Sequence, residues 1–157
     1  MKRTIFFLAI LTFSFLNIAK AQNKVKAIKA GKLIDVVNGS VLKNQIILVQ
    51  GDTIAAIGTS ISIPKDAEII DLINVTVLPG LIDCHTHLTG EPSDDYYADI
   101  FRKTTADYAM RVPIYAKRTL EAGFTTCRDL GSGDLIDISL RNAINEGIID
   151  GPRIFVA

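Results

Sequence analysis

The sequence lacks a net charge, a long apolar run and any abundance of cysteine or histidine. Its 17 basic residues balance 17 acidic ones, so charge gives no reason to expect a nucleic-acid partner. The longest apolar stretch, Ile5 to Leu16, is shorter than the roughly 20 residues that a membrane span needs. Only two cysteines and two histidines occur in 157 residues. Both histidines fall within three consecutive positions, which favours a site over chance scatter.

The first 21 residues have the three parts of a secretory signal peptide. Lys2-Arg3 is the basic start, Ile5 to Leu16 is the apolar core, and Ala19-Lys20-Ala21 is a small-x-small cleavage site. We therefore expect an exported protein, periplasmic or secreted, without a stable membrane anchor. An uncleaved anchor is the alternative.

Export permits a disulfide between the two cysteines, Cys84 and Cys127. Both are expected on neighbouring strands, where a direct bridge strains disulfide geometry. Two buried free thiols are therefore the prediction, with a disulfide as the alternative. Cys84 is predicted to face away from His85, which argues against a Cys–His nucleophilic pair.

The two histidines stand in the run Asp83-Cys84-His85-Thr86-His87, at the end of a short apolar segment that follows Pro79-Gly80. Strand residues two apart share a face, so Asp83, His85 and His87 are predicted to point the same way. Two imidazoles so placed can bind one metal ion. A chance surface pair, or a hydrogen-bonded core pair, is the competing interpretation.

The chain divides into two parts by its apolar periodicity. Residues 22–79 contain short alternating segments separated by turns at Asn38-Gly39 and Gly51-Asp52, which predicts a small β-sandwich-like subdomain. Residues 80–157 alternate strand and helix patterns, which predicts parallel βαβ units. The overall fold class is therefore α/β.

Two details of the predicted helices can be tested. Pro113 lies inside a stripe of apolar residues spaced four apart, so a kink or a restart of the helix is expected there. Asp134 is predicted to be the N-cap of the next helix.

Several segments resemble the amidohydrolase superfamily of metal-dependent hydrolases. The run from Pro79 to His87 is similar to the first barrel strand of that superfamily, and segments at residues 30–35, 49–58 and 70–72 are similar to its small β domain. Residues 121–131 and 147–154 resemble its imidazolonepropionase-like and prolidase-like branch. This resemblance implies that residues 80–157 begin a (β/α)₈ barrel of the TIM type.

The resemblance also implies a chemistry. His85 and His87 would be ligands of a divalent metal, zinc foremost, bound as one or two ions, while Asp83 would have a supporting or structural role. From their place at the end of a strand, Arg128 and Asp129 could bind the substrate, or else take part in a buried structural ion pair with neighbouring loops. The reaction would be hydrolysis of a carbon–nitrogen bond by a metal-activated water, with a small cyclic amide or a dipeptide as substrate.

A complete barrel of this kind needs about 250 residues, and the sequence has no third histidine. We therefore expect the N-terminal portion of a longer enzyme, inactive by itself because its general base lies elsewhere. A truncated, non-catalytic metal-binding or interaction protein is the alternative. Unpaired strand edges should make the chain self-associate.

The signal-peptide prediction is tested by N-terminal sequencing of exported material. We expect the mature protein to begin at Gln22, or within a residue or two of it, because Ala19 and Ala21 suit signal peptidase. A protein that still begins at Met1 and fractionates with membranes would contradict cleavage.

Overall fold

A computed structural model describes residues 24–157, so the predicted signal peptide lies outside the described residues. The chain forms two compact units that divide between Leu78 and Pro79. Each unit is described by itself. None of the helices in residues 24–157 has both the length and the apolar character that a membrane crossing requires.

The first unit is a single mixed sheet rather than the predicted sandwich-like pair of layers. Its strands are β1 (Lys26–Asp35), β2 (Ser40–Gln50), β3 (Thr53–Gly58) and β4 (Glu68–Val77), in the order β3-β2-β1-β4. The β1–β2 and β2–β3 pairs are antiparallel, whereas β1 and β4 are parallel. The small core of this sheet is built on Ala30, Leu33 and Ile47.

Gly31 has a steric role in the middle of β1. The register of β1 against β4 shifts between Ala30 and Lys32, and a Cβ atom at Gly31 would lie 1.8 Å from the carbonyl oxygen of Ile73. A backbone atom cannot move aside as a flexible side chain can. Only glycine therefore allows the two strands to approach this closely.

The second unit is a parallel α/β layer structure, as the alternation of patterns predicts. Its strands are β5 (Leu81–Thr86), β6 (Phe124–Asp129) and β7 (Arg153–Val156), paired in parallel in that order. Its helices are α1 (Tyr96–Arg102), α2 (Thr105–Glu121) and α3 (Ile136–Asn145). Its buried core unites residues from the strands and helices, and consists of Leu88, Val112, Ala116, Cys127, Ile136, Leu140 and Ile154.

Helix α2 runs through Pro113 as one element, so of the kink or restart expected there, the restart does not occur. Two features support the helix despite the missing amide. Thr104 and Asp107 form a reciprocal capping box at its N-terminus. Val112 and Ala116 then bury its apolar stripe in the core, and this burial outweighs the local cost of proline.

The predicted N-cap of α3 is also wrong. Asp134 has a positive φ of 57° inside a short 3₁₀ turn, Gly133–Leu135, and does not cap the helix. The residue before α3 is Leu135, whose side chain makes no capping hydrogen bond. The Ser132 hydroxyl instead accepts a hydrogen bond from the backbone N–H of Asp137, in the first turn of α3, and donates one to the Asp137 carboxylate. The Asp134 carboxylate accepts a hydrogen bond from the hydroxyl of Thr105 at the start of α2.

One face of the β5–β6–β7 sheet packs against the helices and the other is open. Cys127 and its register partner Ile154 lie on the helix side. Ile82 and Phe155 alternate with residues of that side and are 65% and 58% exposed. Parallel sheets are normally covered on both faces, so this open apolar face is prone to association.

We expect the 157-residue chain to self-associate through the open face of the sheet. Replacing Ile82 and Phe155 with glutamate should shift sedimentation velocity profiles toward the monomer, because charge opposes burial of this face. Ile148→Glu is the matched control, since Ile148 is equally exposed but lies outside the strands. A wild-type chain that sediments as a compact monomer, with fixed near-UV circular dichroism and cooperative melting, would contradict this expectation.

Candidate metal centre

The histidines lie where β5 ends, beside the end of β6. Because these two strands are parallel, their C-terminal ends meet at the same edge of the sheet. The Leu130 N–H donates to the Thr86 carbonyl at 2.9 Å and so joins the two strand ends. Residues that follow β5 are therefore held against residues that follow β6. In α/β folds, this C-terminal edge is where ligands bind.

Asp83 does not share the face of the histidines, and the prediction that it does is wrong. The register of β5 and β6 pairs Asp83 with Cys127 and Thr86 with Asp129, so three steps on β5 match two on β6. The extra residue interrupts the alternation, as a β-bulge does. Asp83 and Thr86 thus lie on the helix side together, and His85 lies on the opposite side.

The Asp83 carboxylate takes part in this irregularity. Its Oδ1 accepts a hydrogen bond of 3.0 Å from the backbone N–H of His85. A side chain that bonds the backbone two residues ahead competes with the strand ladder. Asp83 therefore lies on the other side of the sheet and helps to set the backbone conformation at His85.

The two imidazoles are close enough to share one ion. Their ring centroids are 5.5 Å apart, with the rings inclined by 70°. Two imidazoles that bind a tetrahedral ion at about 2.0–2.1 Å place their centroids roughly 5 Å apart. Both side chains are exposed on the described surface. The donor set and its spacing therefore fit a shared divalent metal.

His87 has a defined hydrogen-bond partner. Its Nδ1 lies 3.0 Å from the carbonyl oxygen of Gly131, in the loop after β6. A carbonyl can only accept a hydrogen bond, so Nδ1 must donate. In the neutral ring, the Nε2 lone pair of His87 is then free for a metal.

The two histidines do not form a complete site by themselves. Within residues 24–157, no group of three or more histidine, cysteine, aspartate or glutamate side chains is arranged to hold an ion. A zinc site ordinarily has at least three protein ligands. The chain thus presents half of a ligand set.

Among the described residues, neither Arg128 nor Asp129 forms the ion pair with neighbouring loops that the sequence suggested. Asp129 is fully buried, and its Oδ2 accepts from the backbone N–H of Leu88 at 2.6 Å and from the Thr86 hydroxyl at 3.4 Å. Its Oδ1 accepts from the Gly131 N–H at 3.1 Å. These donors satisfy the carboxylate without a cation. Burial also removes Asp129 from the substrate side.

Arg128 occupies a different position from its neighbour. It is exposed and is the register partner of Phe155, so it lies on the open face of the sheet. His85 lies on the same open face, whereas Thr86 lies on the opposite, helix-facing side. Arg128 takes part in none of the ion pairs of the described residues. These pairs join Lys103 to Asp99, Lys117 to Glu121 and Arg118 to Glu91.

The two cysteines are free thiols, as predicted, but only one is buried. Cys84 falls at the register break of β5 and is exposed, because the bulge keeps it out of the helix-facing core. Burial raises the pKa of the Cys127 thiol, and the charges of Asp83 and Asp129 raise it further. Cys127 is therefore a protonated core residue rather than a nucleophile.

A cavity of about 600 Å³ adjoins His87. Its volume is that of a small-molecule pocket. The loop after β5, helix α1, the start of α2 and the 3₁₀ turn supply its walls, which include His87, Tyr96, Ile100, Lys103, Tyr108 and Asp134. Lys103 is paired with Asp99, and Asp134 accepts from Thr105. The pocket thus combines aromatic walls with charged groups that already have partners.

Comparison with known proteins agrees with this geometry. Residues 76–157 match the model of the amidohydrolase family. The chain belongs to this family. The matched residues contain the histidine pair, both strands of the site and the loop after β6.

Individual members resemble the chain over most of its length. A crystal structure of a Xaa-Pro dipeptidase with methionine bound in the active site is 39% identical, covers 85% of this chain and superposes with a TM-score of 0.78. A prolidase complexed with N-methylphosphonate-L-proline is 28% identical over 85% of the chain, with a TM-score of 0.73. The ochratoxinase of Aspergillus niger is 32% identical over 139 residues, or 84% of the chain.

The chain spans only about a third of the length of these relatives. It covers 33% of the Xaa-Pro dipeptidase, 31% of the prolidase and 28% of the ochratoxinase. The shared region in each case is a minority of the relative.

Two elements of the site had no clear signal in the sequence. The Gly131 carbonyl that accepts from His87 is a backbone group, and only the glycine, with its φ of 110°, indicates an unusual loop there. Two of the three donors to Asp129, the Thr86 hydroxyl and the Leu88 N–H, come from residues about 40 positions away in the sequence. Periodicity cannot reveal such contacts.

Proposed function

We propose that this chain supplies the metal-ligating first part of an amidohydrolase that cleaves a carbon–nitrogen bond. The observation that carries the proposal is the histidine pair at the end of β5, with ring centroids 5.5 Å apart. Family membership supports the hydrolytic class. The parallel β5–β6–β7 sheet with its helices supports a place at the start of a (β/α)₈ barrel, after a small β domain.

His85 and His87 are the proposed ligands, and zinc is the proposed metal, as one or two ions. Imidazole suits zinc and its transition-metal neighbours rather than magnesium or calcium. When bound, such an ion lowers the pKa of a coordinated water and polarises the scissile carbonyl. The sequence contains no other histidine. Further ligands must therefore be non-histidine side chains of this chain or groups from another polypeptide segment.

The remaining residues of the edge have separate proposed roles. Arg128, exposed on the open face of the sheet, offers a fixed positive charge to a carboxylate or carbonyl of the substrate. The cavity beside His87 accepts a side group of the substrate between Tyr96 and Tyr108. Asp83 and Asp129 act on the backbone rather than on the substrate.

The proposed substrate is a small cyclic amide or a dipeptide. Among the solved structures similar to this chain are a Xaa-Pro dipeptidase and a prolidase with an N-phosphonylated proline, and they favour the dipeptide. Residues 1–21 are proposed to direct export, on the strength of their sequence alone.

A second candidate function is a non-catalytic metal-binding or interaction protein. The incomplete ligand set of residues 24–157 favours it. Catalysis needs a metal site with an open position and a general base, whereas binding alone does not. When the missing part of the site is supplied, the first candidate function predicts turnover and the second predicts metal binding without turnover.

A chimera distinguishes these functions. Residues 24–157 would replace the aligned third of the Xaa-Pro dipeptidase, and hydrolysis of dipeptides and cyclic amides would be assayed with zinc. We expect turnover by the chimera and none by the 157-residue chain. His87→Asn should lower kcat by more than the roughly 10–100-fold typical of losing an outer metal-site contact, because it removes a ligand.

Lys117→Gln is the control, since Lys117 is an exposed helix residue whose only described partner is Glu121. It should leave turnover unchanged. A chimera that folds and binds zinc through both histidines, yet hydrolyses none of the substrates, would favour the non-catalytic candidate. Turnover by the 157-residue chain that disappears in His85→Asn would contradict the need for further ligands.

A further inference from the structure

We infer that Asp129 is a positioning residue for His87, which it orients through the loop after β6; this inference rests on the proposed metal-binding function. Asp129 does not touch the imidazole. Its two carboxylate oxygens instead hold the backbone on both sides of the bond between His87 and Gly131.

The contacts form a closed ring. Asp129 Oδ2 accepts from the N–H of Leu88, the residue directly after His87, at 2.6 Å. Asp129 Oδ1 accepts from the N–H of Gly131 at 3.1 Å. The carbonyl of that same Gly131 accepts from His87 Nδ1 at 3.0 Å. One carboxylate thus fixes both the donor side and the acceptor side of the imidazole bond.

The hydrogen-bonding groups around Asp129 suit a carboxylate. Each of its two oxygens accepts from a backbone N–H group, and the Thr86 hydroxyl, which also lies 3.2 Å from the Arg128 carbonyl, is 3.4 Å from Oδ2. A carboxylate accepts at both oxygens, and bonds to an ionised acceptor are the stronger kind. An asparagine has one acceptor oxygen and one donor NH₂. Its oxygen could accept from only one of the Leu88 and Gly131 N–H groups, and its NH₂ would face the other N–H, donor against donor.

The consequence for His87 is a single tautomer and a single ring orientation. With Nδ1 protonated and directed at Gly131, Nε2 is unprotonated and available to a metal. An imidazole without this hydrogen bond can rotate or move its proton to Nε2. In either case Nε2 is no longer available to bind the metal. Ligating histidines elsewhere depend on such a partner for the other ring nitrogen.

The test uses the whole 157-residue chain, untagged and labelled with ¹⁵N-histidine. Its spectrum contains only two imidazoles, those of His85 and His87, and His85→Asn assigns them. Measurement at a pH where both rings are neutral, in solution or on sedimented protein by magic-angle spinning, should show His87 with its proton on Nδ1. Asp129→Asn should convert His87 to a mixture of tautomers and weaken zinc binding about 10–100-fold.

Asp107→Asn is the control. Asp107 is a carboxylate of the same unit, but it bonds Thr104 at the start of α2 and not the loop after β6. It should change neither the tautomer nor the zinc affinity, even if it lowers the melting temperature. Gly131→Ala is a second variant for the case in which Asp129→Asn does not fold. It strains a φ of 110° while its Cβ meets no atom within 4 Å, so it should disturb the same tautomer.

The readouts separate the two proposals. A folded Asp129→Asn or Gly131→Ala variant that keeps the wild-type His87 tautomer would overturn the positioning role. A wild-type chain with His87 protonated on Nδ1 that fails to bind zinc would overturn the metal proposal. Loss of the tautomer together with weaker zinc binding, absent from Asp107→Asn, would support both.

Discussion

The parallel pairing of β5 with β6 is the constraint on which the candidate site depends. It brings the ends of two strands, about 40 residues apart in sequence, to one edge of a sheet. The histidine pair, Arg128 and the Gly131 carbonyl are neighbours only because of this pairing. The hydrogen bond from Leu130 to Thr86 and the buried carboxylate of Asp129 then hold the two strand ends together.

Arg128 and Asp129 have different roles because successive side chains of β6 point to opposite faces of the sheet. Arg128 is exposed on the open face, whereas Asp129 is completely buried on the helix side. A buried charge is costly unless it is fully hydrogen-bonded. Asp129 meets this condition through backbone and hydroxyl donors, so its charge serves the architecture while that of Arg128 remains available to a ligand.

The alternation of strands and helices after residue 80 and the position of the histidines could be predicted from the sequence, because they depend on local patterns, whereas the short helix α1 was not predicted. Strand alternation, the four-residue spacing of apolar residues in α2 and the turn glycines are all local signals. The failures were of another kind. The face of Asp83 depends on an extra residue in β5 relative to β6, and such a register break is invisible in either strand alone. The continuity of α2 through Pro113 depends on tertiary burial of Val112 and Ala116, which outweighs a local preference.

Zinc K-edge X-ray absorption of the zinc-loaded 157-residue protein tests whether His85 and His87 bind one divalent ion. We expect two imidazole nitrogens at about 2.0–2.1 Å, with the multiple-scattering pattern of histidine rings. The double variant His85→Asn/His87→Asn should lose that pattern and retain only oxygen ligands. A wild-type spectrum that shows only oxygen scatterers, or one that the double variant leaves unchanged, would show that the two histidines do not bind the ion.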